Sequence, residues 1–121
     1  MASTVQFRIA YARGDSFEKD FLLKNKTSGE LVTDEFTEVY FSVKKYSSDQ
    51  EYLFQKRLTT GGIYTNWDGR FTVYIDPEDT DNLPFGEYDC DIEFVDETEN
   101  YKRTFYGKLE LTKEVTYASN E

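Results

Sequence analysis

Two acidic stretches hold the residues that are best suited to chemistry, residues 76–82 and 87–93. The first, DPEDTDN, is rich in the oxygen ligands that calcium takes, although it lacks the spacing and central glycine of an EF-hand loop. The second, EYDCDIE, carries a carboxylate at every other position. Paired carboxylates can act as general acid and base, so an active site, a cation site and the solvated face of a sheet are all open interpretations.

The rest of the sequence argues against catalysis, because it contains no histidine. The commonest general base, the commonest transition-metal ligand and the usual activator of a nucleophilic Ser or Cys are therefore missing. The single cysteine, Cys90, shares the parity of apolar neighbours, which predicts an inert thiol in the core. We expect a protein that is not an enzyme, with no catalytic residues, no metal and no cofactor.

The charge balance narrows the class of partner. With 14 Lys and Arg against 24 Asp and Glu, the formal net charge is −10. Nucleic acids and anionic membranes attract basic surfaces, so we expect neither as a partner. Residues 1–14 show no long apolar run and no basic leader, so we expect no signal peptide. One cysteine allows no disulfide within the chain, which fits synthesis in the cytosol.

The elements that must position these residues are β-strands. Ten Phe and ten Tyr supply core volume, and alternation of apolar with polar residues predicts about seven strands. The predicted strands are residues 5–11, 16–24, 38–45, 51–58, 69–76, 88–94 and 105–111. Short strands with frequent turns are typical of an all-β, immunoglobulin-like antiparallel sandwich, and a small closed barrel is the alternative. A length of 121 residues predicts one domain, 1–121, with an ordered core of about 5–116.

The strand 88–94 and the strand that follows it form the most charged predicted hairpin. Apolar side chains take one parity of 88–94 and carboxylates take the other. A register that sets Glu93 opposite Lys102 also sets Glu87 opposite Lys108. Each such pair contributes about 0.2–1 kcal/mol.

Five residues are candidates for an interface: Tyr64, Trp67, Arg70, Asp89 and Asp91. The two aspartates are left over in that register, so they are either a docking face for a basic partner or part of a solvated sheet face. Trp67 lies at a tight turn, where an indole is either an exposed interface anchor or a cover folded over the end of the sandwich.

Six short motifs together resemble the small β-sandwich domains of tailed-phage structural proteins. The most similar family is the N-terminal domain of baseplate upper proteins, and the resemblance covers about residues 7–116. The motifs are GDS at 14–16, VYFSV at 39–43, GRFTV at 69–73, PEDT at 77–80, LPFGEYDCDI at 83–92 and GKLEL at 107–111.

The resemblance implies a virion structural protein of the tail, baseplate or capsid. Such a protein is made in the cytoplasm of the bacterial host, is located in the virion, and docks to other virion proteins as a homo-oligomer or in many copies. The alternative is a small carbohydrate- or ligand-binding module. It would use the aromatic residues of GGIYTNW at 61–67, with calcium bound by DPEDTDN.

Overall fold

The computed structural model describes residues 5–46, 48–98 and 100–113. It confirms the all-β prediction, with eight strands and one helical turn in the described residues. These elements are β1 Phe7–Ala12, β2 Phe17–Leu22, β3 Glu38–Lys44, β4 Phe54–Arg57, β5 Ile63–Thr65, β6 Arg70–Ile75, α1 Pro77–Thr80, β7 Gly86–Asp96 and β8 Tyr101–Thr112. The strand that was not predicted is β5. The last part of the predicted ordered core, 114–116, lies outside the described residues.

The strands form two sheets, in the orders β1-β8-β7-β3-β4 and β2-β6-β5. The first order contains the C, F and G strands of an immunoglobulin sandwich as β3, β7 and β8, and the second contains B, E and D as β2, β6 and β5. The immunoglobulin-like prediction is therefore confirmed. The structure differs from the predicted antiparallel sandwich in one respect. β1 pairs with β8 in parallel, whereas the other strand pairs are antiparallel.

The core lies between the two sheets and follows the predicted alternation. On β7, the side chains of Tyr88, Cys90, Ile92 and Phe94 are at most 3% exposed. The ring of Phe94 meets that of Phe71, on the opposite sheet, edge-on at 4.8 Å between centroids. This geometry is favourable for aromatic pairs, so the scarce aliphatic residues are replaced by interlocking rings.

One end of the sandwich gathers three of the sequence motifs. The Tyr88 hydroxyl donates to the carbonyl oxygen of Pro84 at 2.5 Å, which is the tyrosine corner found at the start of the F strand in immunoglobulin-like domains. The Gly14 N–H donates to the Thr80 hydroxyl at 2.9 Å, and the Arg13 guanidinium donates to the carbonyl of Leu83 at 3.2 Å. The motifs GDS, PEDT and LPFGEY therefore meet at this corner and hold it together.

Candidate functional site

The five candidate interface residues do not converge on one site. Tyr64 on β5 and Arg70 on β6 point outward from the three-stranded sheet. Asp89 and Asp91 are on β7, on the face of the five-stranded sheet that points away from the core. Trp67 is in the turn between β5 and β6. The two outer faces of a sandwich point in opposite directions, so one partner surface cannot cover all five residues.

Trp67 is half-buried and packs over the end of the core. Its ring lies 6.0 Å from that of Phe71 and 6.1 Å from that of Phe36. Its backbone has a φ of 62°, which is uncommon for a bulky residue. The Thr65 hydroxyl supports this turn, because it accepts from the Trp67 N–H at 3.0 Å and donates to the Arg70 carbonyl at 2.7 Å. Of the two interpretations of Trp67, this packing matches the folded cover, and a role at an interface stays a prediction.

The register of the β7–β8 hairpin, which the sequence left open, differs by two residues from the one that sets Glu93 opposite Lys102. Asp89, and not Glu87, lies opposite Lys108. Glu93 still forms an ion pair with Lys102, at 3.0 Å, but the two residues are diagonal neighbours. Because the register of a hairpin is set by its turn, the four-residue connection from 97 to 100 causes the difference.

Asp89 is consequently not a spare carboxylate. Its side chain is only 11% exposed and forms an ion pair with the ammonium group of Lys108. The Tyr106 hydroxyl also donates to Asp89, at 2.6 Å. The hydrogen bond to Asp89 raises the pKa of Tyr106 and likewise raises the pKa of Lys108. Asp89 is therefore not left over in the observed register, since a cation of its own chain already neutralises it, and its role at an interface stays a prediction.

Asp91 differs from Asp89 in its surroundings. It is half-buried, and burial raises the pKa of Asp91, as does the neighbouring Glu93 carboxylate. Lys44 and Lys102 oppose this shift without cancelling it.

We define the charged face as the charged residues on the outer side of the five-stranded sheet. They are Arg8, Glu38, Lys44, Arg57, Glu87, Asp89, Asp91, Glu93, Lys102, Lys108 and Glu110.

The outer side of the three-stranded sheet has a different chemistry. We define the tyrosine face as Leu22, Tyr64, Arg70, Thr72 and Tyr74, which share the outer side of this sheet with Glu18 and Asp20. Leu22 is 50% exposed, Tyr64 is 55% exposed and Tyr74 is 39% exposed. Leu22 pairs with Arg70 across the strands, and Thr72 pairs with Tyr64. Large, partly apolar side chains, a guanidinium group and the carboxylates of Glu18 and Asp20 therefore share one surface.

The acidic loop 76–82 serves the fold. The Asp79 carboxylate accepts from the Asp76 N–H at 2.8 Å. The Lys56 ammonium group pairs with Asp79 at 2.6 Å and with Asp76 at 3.1 Å. Burial opposes the charge on Lys56, but the two carboxylates outweigh burial and raise the pKa of Lys56. Within residues 5–46, 48–98 and 100–113, no cluster of three or more His, Cys, Asp or Glu could hold a metal ion, so calcium binding gains no support.

Cys90 lies in the core, as predicted, at 3% exposure. Burial raises the pKa of the Cys90 thiol, and the neighbouring Asp91 and Asp89 add to the shift. A thiolate is the reactive form of cysteine. Cys90 is therefore a packing residue and not a nucleophile.

The sequence did not reveal a cleft between β1 and β2, on the open side of the sandwich. It has a volume of about 140 Å³ and is lined by rings that include Phe7, Phe21 and Phe105. A second hollow of about 110 Å³ adjoins it through Leu23 and Phe105 and carries three cations, Lys24, Lys26 and Arg103. The only local signal was the pair of lysines in LKNK at 23–26, which is unusual in so acidic a chain.

These features define an immunoglobulin-like β-sandwich. No protein-family model matches the chain, and a comparison with curated proteins finds no match. None of the described residues form a helix of the length and hydrophobicity that crossing a lipid bilayer requires.

Proposed function

We propose that this chain is a non-enzymatic structural protein of a phage particle, an adaptor that docks to other virion proteins in multiple copies. Two lines of reasoning support the proposal. The six motifs resemble the sandwich domains of tailed-phage structural proteins, and the chain has the fold that this resemblance implies. Its location would be the virion, after synthesis in the cytoplasm of the bacterial host.

The observation that carries the docking function is the tyrosine face. Tyr and Arg are enriched at protein interfaces, where rigid rings bury a large area at a small cost in side-chain entropy. Tyr64 and Tyr74 are diagonal neighbours on adjacent strands, and both are exposed. Among the described residues, Arg70 forms no ion pair on this face, so its charge is available to a partner. Arg70 gives the contact a polar component that fixes orientation more than affinity.

The same two tyrosines favour a second candidate, a carbohydrate-binding module, because exposed rings can stack on sugars. That module would bind a soluble oligosaccharide with no particle present. The adaptor instead needs a broad protein surface, and the tyrosine face spans three strands. The two candidates therefore differ in what the purified protein binds by itself.

The test uses particles purified from cells that carry the gene. We expect the chain to be present in them at a fixed ratio to the other structural proteins, as measured by quantitative mass spectrometry. The double variant Tyr64→Thr/Tyr74→Thr should lose at least 90% of its incorporation, about a tenfold effect. Threonine keeps the strand propensity of both positions.

The matched control is Tyr46→Thr/Tyr52→Thr, which removes two tyrosines of similar exposure, 60% and 51%, outside the tyrosine face. This variant should be incorporated like the unchanged chain. Absence of the chain from particles would refute the adaptor function. Binding to a glycan array that is lost in Tyr64→Thr/Tyr74→Thr, without incorporation, would establish the carbohydrate-binding module instead.

A further inference from the structure

The cleft between β1 and β2 has the dimensions of a socket for one aromatic side chain. Phe7, Phe21 and Phe105 form its walls, and the core residues Ile92 and Phe94 lie at its base. Its volume is about 140 Å³, and an apolar cavity of about 150 Å³ is known to hold one benzene ring. The socket is open to the surface, so a ring can enter from another chain.

A cationic rim surrounds the adjoining hollow. Lys24, Lys26 and Arg103 line it beside Tyr101. Among the described residues none of these three cations forms an ion pair, in a chain whose net charge is −10. A rim of this kind reverses the sign of the overall charge locally, so it favours a segment that carries carboxylates within a few residues of its aromatic residue.

Within the described residues, a free strand edge runs past the same place. β8 begins at Tyr101, whereas β1 pairs with it only from Gly107 to Thr112, and Gln6 extends the contact to Tyr106. Residues 101–105 therefore have no described strand beside them on the β1 side. Free backbone groups at a sheet edge allow an extended segment to add as a further strand.

One segment of this chain has the required chemistry. Residues 114–121, EVTYASNE, contain Glu114 and Glu121, the single aromatic Tyr117 and no cation. In an extended conformation Val115 and Tyr117 point to the same side, because side chains alternate along a strand. This segment therefore matches the cleft in apolar character and the rim in charge.

Tyr117 cannot lie beside residues 101–105 of its own chain. β8 ends at Thr112, and Phe105 lies seven residues back along the strand, about 23 Å away at 3.3 Å per residue. Tyr117 is five residues beyond Thr112, and five extended residues span at most about 17 Å. The backbone at Tyr117 therefore stops short of residues 101–105, so a segment that pairs with that edge and places Tyr117 beside it must come from a second copy.

We propose that residues 114–121 of one copy dock into the cleft and cationic rim of another, with Tyr117 in the socket and the segment paired to the free edge of β8. The contact is head-to-tail, since the cleft and the segment are different surfaces, and such contacts build rings or filaments. This inference goes beyond the proposed function, because it concerns copies of this chain alone and not the tyrosine face.

The test measures the mass of the purified full chain by sedimentation velocity over a range of concentrations. We expect association that weakens as salt is raised, because charge pairing contributes to it. Tyr117→Ser and the rim variant Lys24→Glu/Arg103→Glu should each weaken association at least tenfold. Tyr52→Ser, which removes an exposed tyrosine elsewhere, should behave like the unchanged chain.

Mixing separates a head-to-tail contact from a symmetric one. Tyr117→Ser keeps an intact cleft, and the rim variant keeps an intact segment, so an equal mixture should form a one-to-one dimer that grows no further. A mixture that remains monomeric would refute the proposal, as would an unchanged chain that is monomeric at every concentration.

The competing occupant is residues 1–4 of the same chain, which precede Gln6 at the edge of the cleft. A synthetic peptide of sequence EVTYASNE, labelled with a fluorophore, distinguishes the two by fluorescence anisotropy. The proposal predicts that the peptide binds Tyr117→Ser directly. Binding that requires deletion of residues 2–4 would show that the chain fills its own cleft, and it would overturn the proposal without affecting the test on phage particles.

Discussion

The two outer faces of this sandwich meet water in different ways. On the charged face, cations and carboxylates of neighbouring strands pair with one another, as Lys108 does with Asp89 and Lys102 with Glu93. On the tyrosine face, Tyr64 and Tyr74 are exposed. The sequence alone drew attention to the face with more charge. The structure shows that cations and carboxylates of this face already form ion pairs with one another.

The difference teaches where a partner gains most from docking. A partner on the charged face must remove water from ion pairs that are already formed, and that desolvation cost offsets much of what new contacts return. A partner on the tyrosine face covers rings and an aliphatic side chain, whose burial contributes roughly 25 cal/mol per Å². We therefore expect docking on the tyrosine face, although the sequence offered candidate residues on both faces.

The largest expected effect tests whether the charged face is held by its own pairs. Lys108→Ala removes the cation that neutralises Asp89, whose side chain is 11% exposed. We expect the free energy of unfolding to fall by about 2 kcal/mol, because a carboxylate with so little access to water depends on its cation. Urea unfolding followed by Trp67 fluorescence measures the loss.

Arg8→Ala is the matched control on the same face. Arg8 pairs with Glu87 at 3.2 Å, but the two side chains are 66% and 50% exposed. Exposed pairs contribute little, so the change should stay below about 0.5 kcal/mol. Equal losses in Lys108→Ala and Arg8→Ala would mean that burial does not distinguish the two pairs, and the view of Asp89 as an internally neutralised residue would be abandoned.

The alternation of apolar and polar residues along each strand was predictable from the sequence, but the pairing of the strands was not. The burial of Ile92 and Phe94 follows from period two and was predictable. The register of β7 and β8 was not, because a shift of two residues keeps every side chain on the same face. The strand β5, Ile63–Thr65, follows two glycines with positive φ. Its sequence is typical of a loop, and it is a strand because it pairs with β6.

The candidate surfaces were harder to predict than the fold. The tyrosine face was half visible, since Tyr64 and Arg70 were chosen but Tyr74 and Leu22 were not. The cleft was not visible, because its walls come from β1, β2 and β8, which are distant in the chain. No local pattern reports a gap between two sheets, and only the packed structure brings Phe7, Phe21 and Phe105 together.

A smaller effect, of opposite sign, is expected at Asp91. Burial and Glu93 raise the pKa of Asp91, so the carboxyl group ionises more readily in the unfolded chain. Below the ordinary pKa of an aspartate, this group is protonated in both the folded and the unfolded chain and does not affect the free energy of unfolding. As pH rises from there through the raised pKa, the unfolded chain ionises first, so the free energy of unfolding falls. Asp91→Asn should increase the free energy of unfolding at pH 7 by about 0.5 kcal/mol, with no increase near pH 3.

Glu38 provides the contrast for the pH profile. Partial burial opposes ionisation of Glu38, but hydrogen bonds from the Thr59 hydroxyl and N–H outweigh it and lower the pKa of Glu38. Its stabilising contribution is present above the ordinary pKa and is lost as pH falls through the lowered value. Glu38→Gln should therefore destabilise at neutral pH and lose its effect in acid. Parallel pH profiles for the Asp91 and Glu38 variants would contradict the assigned causes.

The smallest expected effect lies on the tyrosine face, and it decides whether that face is free for a partner. Tyr64→Thr/Tyr74→Thr should change the free energy of unfolding by less than about 0.5 kcal/mol, because the rings contribute little to the core and threonine suits a strand. Thermal and urea unfolding measure it. A loss above 1 kcal/mol would mean that the exposed rings stabilise the sheet itself. Reduced incorporation into particles would then report folding and not docking, and the contrast between the two faces would lose its functional meaning.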